Sequence, residues 1–373
     1  MKKFTKRICS IVLSSVLLFT AIIPVSAFTE SEEMAKKRNY SIIFGSYNPK
    51  SDISVKVKKE AIFPSFRYFL SAHASTVIKL DNGNLVSAWF GGSQEGGKDV
   101  RIWYSIKSGN DWSKPKSVPT DDNAAHYNPV LHNFGDYIRL FYHVGSSPSD
   151  WVTKYVDSYD GGNTWTWPQE LVPGDTSGGR GPVKNQCLVR DDGVIIAPAS
   201  TEQGQWKSFF DISYDGGKTW TKTDYVEAVD EEGNLVEMIQ PTLWQDKDGN
   251  IHAMFRTLAG WIYRSDSYDG GITWCKAYST GLMHGSSGID CTMTDDGKLW
   301  LVYNPCGVRQ RRHQLLVSVS EDNGKTWEDV TYLQRSILFF TEYSYPTVIS
   351  DGNTLHITYT WNRFHIKHAM IEF

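Results

Sequence analysis

Along most of the chain apolar and polar residues alternate in short runs, broken by Gly, Asn, Asp and Pro. That two-residue period marks half-buried β-strands and not helices. Thr76–Leu80, Leu85–Phe90 and Val100–Ser105 show it in succession. One stretch departs from it: Ile8–Ile23 is a largely apolar run, opened by Lys2, Lys3, Lys6 and Arg7 and closed by Pro24 and Val25-Ser26-Ala27. A basic start, an apolar segment and a small-residue cleavage pattern make a secretory signal, and the run is shorter than the roughly 20 residues a bilayer span requires. Residues 1–27 are therefore expected to be removed on export and residues 28–38 to form a mobile polar leader. Residues 39–373 are expected to fold as one extracellular domain with no membrane span.

A longer period overlies the strands. Ser158–Trp165 reads Ser-Tyr-Asp-Gly-Gly-Asn-Thr-Trp, and Ser213–Trp220, Ser267–Trp274 and Ser320–Trp327 repeat it with few changes. A worn copy, Ser105–Trp112, keeps the Ser, Gly109 and the Trp but has Lys107 in place of Asp. The five tryptophans stand 53, 55, 54 and 53 residues apart, room for one four-stranded sheet and its loops. Each copy has the chemistry of a tight hairpin: a carboxylate to accept the loop's own N–H groups, Gly where φ must be positive, and hydroxyls for the remainder. It lacks the alternating acidic ligands and distal Glu of a calcium loop, and nothing else in the sequence calls for a metal or a cofactor.

These Asp-box hairpins should join the third and fourth strands of each sheet. After Trp327 there is room for one closing strand and then for Pro346–Ser350, Leu355–Trp361 and Ile366–Phe373, so the last sheet lacks a fourth strand. Tyr40–Gly45 is expected to supply it, removing an open edge. The fold class that follows is all-β: a six-bladed β-propeller with Asp-box hairpins, its ring closed by an N-terminal strand.

Composition narrows the partners. Removal of four basic residues with the signal segment takes the net charge from −4 to −8, and no basic stripe remains of the kind nucleic acid requires. Cys187, Cys275, Cys291 and Cys306 are too sparse for a disulfide scaffold and fit no zinc spacing, so they are expected to be buried thiols with at most one bridge.

The boxes, the tryptophan anchors and the period resemble the bacterial sialidase (neuraminidase) family over nearly the whole mature chain. The resemblance implies a six-bladed propeller with its site on the face opposite the boxes, and three arginines that grip a substrate carboxylate. Guanidinium suits that task because it offers paired donors and stays charged. Arg256, after Gln240-Pro-Thr-Leu-Trp, matches the family's second arginine, and Arg312, ahead of the last box, matches the third. At the place of the first arginine stands His73. Histidine offers a hydrogen bond, or a charge if its pKa is raised, but no fork. Lys184 or Arg180 is the candidate replacement for the missing cation.

The resemblance also implies a tyrosine nucleophile near the chain end, for which Tyr345 is better placed than Tyr343. A phenol needs a neighbouring carboxylate base, and the family's glutamate is here Gln240. Glu237 and Glu342 are the candidate substitutes. For the general acid the matching position is Gln94. Glu95, beside it in a loop bounded by Gly91-Gly92 and Gly96-Gly97, is preferred over Asp99. Asn128, Asp150, Trp151, Asn185 and Asp290 are further polar or aromatic groups at blade ends.

Together these imply an exo-acting glycoside hydrolase that removes a terminal acidic sugar, sialic acid by family default, from extracellular glycans. Loss of the first arginine and of the base glutamate keeps two rivals open. One is a lyase or hydrolase for uronic-acid polysaccharide with His73 as acid/base; the other is a non-catalytic carbohydrate-binding propeller.

Overall fold

The computed structural model describes residues 47–120, 122–307 and 311–373. The expected signal segment, the expected leader and Tyr40–Gly45 lie outside the described residues, in which no helix is long and apolar enough to cross a membrane. Six antiparallel sheets follow one another along the chain. Blade one comprises Ser71–Lys79, Leu85–Gly92 and Arg101–Ser108, with two short pieces, Asp111–Trp112 and Lys116–Ser117, pairing with its third strand. The innermost strands of blades two to five are Ala125–Asn133, Leu188–Val189, Met238–Gln245 and Asp290–Met293. Blade six contains Tyr343–Asp351, Thr354–Trp361 and His365–Glu372, and takes its fourth strand, Lys56–Ala61, from the other end of the chain.

The ring is thus closed by an N-terminal strand, with Lys56 opposite Glu372 and Ala61 opposite Lys367. The place expected for Tyr40–Gly45 belongs to Lys56–Ala61. The sequence Lys-Val-Lys-Lys-Glu-Ala shows no strong apolar alternation because, as an outermost strand, it is exposed along most of its length. The seam also explains the worn box. Lys107, standing where the other boxes have Asp, donates to Glu60 Oε1 at 2.7 Å, and Trp112 Nε1 reaches the same oxygen at 3.0 Å. Burial works to raise the Glu60 pKa, but hydrogen bonds from Lys107, His368 and Trp112 bring it down to about 2. The first blade's box is therefore stitched to the closing strand.

In the intact boxes one carboxylate organises the whole turn. In the first, Asp160 accepts from Ser158 Oγ at 2.8 Å, Thr164 N at 2.9 Å and Thr164 Oγ1 at 2.6 Å. The same bonds recur around Asp215, Asp269 and Asp322. The second glycine of the box touches the preceding blade: at Gly271, with φ 93°, a Cβ would lie 2.6 Å from Ile196. Hairpin and interblade contact thus need the same residue.

The blades pack face to face, so their inner strands are buried on both sides. Val86, Ile102, Leu131, Leu140 and Tyr142 fill the space between blades one and two; Trp300, Val317, Leu355 and Ile357 fill that between five and six. All four described cysteines are free thiols, and Cys275 is exposed, so the single bridge allowed by the sequence does not form.

Burial also fixes a pH response. It lowers His132, His365 and His368 to about 4, and His143 and His284 to about 3. A histidine whose folded pKa is depressed adds stability that is complete above its unfolded value near 6.5. That stability is lost as the pH falls toward the folded value. At pH 5 each of these histidines is expected to have given up about 1 to 2 kcal/mol. The melting temperature should then fall by about 10 °C or more between pH 7 and pH 5, before most carboxylates titrate. A melting temperature that is level across that interval would contradict this.

Candidate active site

The inner strands build the site through a shared irregularity. The ladder slips between His73 and Thr76, Tyr127 and Val130, Ile239 and Thr242, and Ser344 and Thr347. Inside each slip one residue has positive φ: Ala74 52°, Asn128 38°, Gln240 54° and Tyr345 51°. Three of the four precede a proline, which has no N–H to give a ladder. Bulges re-aim side chains, and a non-glycine residue held at positive φ costs on the order of 1 kcal/mol or more, a strain that concentrates at functional sites. Here it brings Gln240 Nε2 to 3.4 Å from Tyr345 Oη.

Tyr345 is the centre. Its hydroxyl accepts from Arg256 Nη1 at 2.7 Å, and the same nitrogen donates to Gln240 Oε1 at 3.0 Å. The Arg256 guanidinium lies 4.8 Å from the Trp206 ring. Arg312 Cζ lies 5.4 Å from the Tyr345 ring, so Arg256 and Arg312 share one tyrosine although 56 positions separate them. Arg312 donates to Glu342 Oε1 at 2.9 Å. A third guanidinium comes from a turn between the second and third strands of blade six. Arg363, itself at φ 58°, donates to Glu342 Oε2 at 2.9 Å, to Glu95 Oε2, and to His73 Nε2 at 3.3 Å. Arg312, Glu342, Arg363, Phe339, Phe340 and Thr341 line an open cavity of about 320 Å³ beside Tyr345. Another cavity, of about 290 Å³, lies toward the hairpin end of the axis, but its lining has no arginine.

The charges divide unevenly. Burial works to raise Glu342, but the positive field of Arg363 and Arg312, to which His73 would add only when protonated, holds it well below the carboxylate range. Because His73 is itself neutral near pH 7, the two arginines carry that effect. Burial drives His73 well below the imidazole range, and Arg363, Arg312 and Arg256 push the same way. Arg256 differs from its neighbours. It is only 8% exposed, and among the described residues no carboxylate lies within ion-pair distance of it. Burial lowers its pKa and Arg312 lowers it further, while Tyr345 and Glu202 act to raise it.

His73, at the place of the first arginine, is buried and neutral. Its Nδ1 lies 2.8 Å from Thr360 Oγ1 and its ring packs 4.3 Å from that of Tyr345. Since Nε2 accepts from Arg363, Nδ1 carries the proton, and the residue supplies no positive charge at neutral pH. Neither suggested replacement cation lies open to substrate. Arg180 is bound to Asp211 through Nε and Nη2, and to Asp175 through Nη1 at 2.5 Å. Lys184 is buried beneath Tyr345, where it donates to Asn185 Oδ1 at 2.7 Å, Ile289 O at 3.0 Å and Pro346 O. Burial lowers Lys184 to about 8. Asp290 beside it is raised by burial and accepts from Thr242 Oγ1 and Val348 N. These two form the floor of the site. The cation that sequence reasoning missed is Arg363.

The remaining candidates separate cleanly. Glu95 reaches the mouth through Arg363, whereas Asp99 is held within its own loop by Ser93. Asn128 occupies the bulge of blade two. Asp150 caps its own turn through Ser146 and Ser147, and Trp151 stacks on His143. Tyr343 packs between blades five and six. Glu237 accepts from Trp206 N at 2.8 Å, and Glu342 is engaged by arginines and Ser344. Among the described residues no carboxylate is hydrogen-bonded to Tyr345 Oη.

The family described as BNR repeat-like domain matches residues 83–357. The chain belongs to that family. No curated protein sequence matches it. Solved structures similar to this BNR repeat-like chain include a Dyadobacter fermentans protein of unknown function, with a TM-score of 0.71 at 17% identity over 85% of this chain and 99% of that one. A Hadza microbial sialidase follows at 0.69 and 14%, over 84% and 68%. The NanB sialidase of Streptococcus pneumoniae gives 0.63 and 14%, over 93% and 73%. At such identity the likeness establishes a sialidase-like six-bladed fold. Within this BNR repeat-like propeller, Glu95, Glu202, Arg256, Arg312 and Arg363 all stand at the end of a blade's second strand or in the turn that follows it. A charged residue recurring at that one place in the repeat is the signal that could have found Arg363 and Glu202.

Proposed function

We propose that this chain is a secreted exo-acting glycoside hydrolase, exported by its signal peptide, that removes a terminal acidic sugar from extracellular glycans, with sialic acid the first candidate. The observation that carries this reading is Arg256. A buried guanidinium without a carboxylate partner is costly in the free protein and is relieved by an anion. Arg312 and Arg363, already bridged by Glu342, add donors and positive field on the same side. With the sugar carboxylate against Arg256, the anomeric carbon would lie over Tyr345 Oη, which attacks it. The phenol proton passes to solvent water in that step, and Arg256 stabilises the negative charge that develops on the oxygen. A carboxyl group at the mouth protonates the leaving oxygen. Two displacements in sequence retain the anomeric configuration.

A second reading, a non-catalytic carbohydrate-binding propeller, is favoured by Gln240, an amide where a tyrosine nucleophile needs a base. One experiment separates them. The protein is incubated with 4-methylumbelliferyl α-sialoside, the corresponding β-glucuronide and unsaturated-product assays on uronate oligosaccharides. Fluorescence from the sialoside, with the α-anomer first seen by NMR, is expected. Glucuronide cleavage or an unsaturated product would move the assignment to uronates. Binding of an acidic sugar with no turnover on any substrate would establish the binding propeller instead.

A further inference from the structure

Glu202 closes blade three's second strand, Ile195–Thr201, on the same face as Tyr345, and no assignment made above uses it. Its backbone is held from both sides. Ser200 Oγ accepts from Gln240 N at 3.1 Å, which docks this strand end against the Gln240 bulge. The turn that follows is pinned where Trp206 N donates to Glu237. The Trp206 ring underlies the Arg256 guanidinium, four residues beyond Glu202 in the same turn. Glu202 is half-buried, lies in the electrostatic field of Arg256 on one side and Glu95 on the other, and forms no ion pair among the described residues. Glu95, the acid suggested by sequence, is placed differently, because its Oε2 accepts from Arg363 and it stands as an acceptor.

Resting on the hydrolase reading above, we propose that Glu202 is the proton donor of the reaction. As the bond between the anomeric carbon and the leaving oxygen breaks, Tyr345 Oη releases its own proton to solvent water and bonds to that carbon, while the Glu202 carboxylic acid gives its proton to the leaving oxygen. It becomes a carboxylate. In the second step this carboxylate takes a proton from the water that displaces Tyr345, which restores the acid, and the released phenolate regains its proton from solvent. Two carboxyl groups with different surroundings commonly divide such roles: the one facing a like charge in a partly desolvated place keeps its proton, and the one in an ion pair does not. Burial raises the Glu202 pKa, with Arg256 acting against it and Glu95 with it, and the net direction is upward, in keeping with this.

The test compares wild type with Glu202→Gln and Glu95→Gln on two substrates. 4-Methylumbelliferyl α-sialoside has a good leaving group and sialyllactose a poor one. Wild-type turnover decides the hydrolase reading itself; without it on either substrate, that reading and this inference fall together. Given turnover, Glu202→Gln is expected to lower kcat/KM on sialyllactose by about 10²-fold or more and on the aryl sialoside by less than about 10-fold. The alkaline limb of the pH profile should also vanish, since activity that needs a protonated acid falls as the pH rises through its pKa. Equal losses on both substrates, no loss, or the leaving-group pattern appearing in Glu95→Gln would overturn the assignment. An unchanged melting temperature for Glu202→Gln keeps the comparison clean.

Discussion

Tyr345→Phe is expected to lower kcat on an aryl sialoside by about 10³-fold or more, roughly 4 kcal/mol of barrier, while KM changes little. The substitution keeps the ring that His73 packs against and that lies beside the Arg256 and Arg312 guanidinium groups, and deletes only Oη. Arg256 and Gln240 lose a shared acceptor but retain each other at 3.0 Å, so folding should be little affected. A nucleophile's removal acts on the transition state and leaves ground-state binding by the arginines in place. If kcat falls by less than about 10-fold, Tyr345 only packs and does not attack.

Arg256→Met should give the reverse pairing of effects, a more stable protein that no longer works. The wild-type guanidinium is buried with no carboxylate in ion-pair contact among the described residues, only the more distant Glu202, and with Arg312 close enough to repel it. Replacing such a charge with an apolar side chain of similar length removes a desolvation penalty, worth about 1 to 4 kcal/mol where buried ions have been replaced. A rise of several degrees in melting temperature is expected for the free protein. Gln240 and Tyr345 can then satisfy one another across 3.4 Å. On the functional side, affinity for an acidic sugar should drop by about 10²-fold or more, because the guanidinium left without a partner is the one an incoming carboxylate finds first. Thermal melts and calorimetric titration with sialic acid read the two effects separately. A lower melting temperature would mean that Arg256 is structural, and unchanged affinity would mean that the anion binds elsewhere.

The propeller was legible in the sequence because its defining element is local. One carboxylate, one or two glycines and two hydroxyls close each intact box without help from the remainder of the chain, so their spacing reports the blade repeat directly. The closing strand was misplaced for the opposite reason. Lys56–Ala61 is recognised by its backbone pairing with His365–Glu372, and its solvated side chains record nothing of that partner. In the site, Arg256 and Arg312 could be found from the segments around them, but Arg363 could not. It lies in the turn Trp361-Asn362-Arg363-Phe364, where Asn362 and Arg363 both have positive φ, and only the closed ring shows that this turn leans over His73. Arg180 misled because a lone arginine in a glycine-rich loop looks available until its buried partner, Asp211, is known from the fold. Glu202 escaped because a polar strand end is the commonest place for an unremarkable surface charge.

The pairing of Lys56–Ala61 with His365–Glu372 orders events during biogenesis. Its partners are separated by nearly the whole polypeptide, so the sixth sheet cannot be completed until the last residues have been delivered, whichever blades form earlier. Until then the early segment must wait unpaired and the last sheet keeps a naked edge. Under the export proposed above, such a nascent chain would remain threadable through a translocation pore up to its final residues and would lock into its durable form only on the far side.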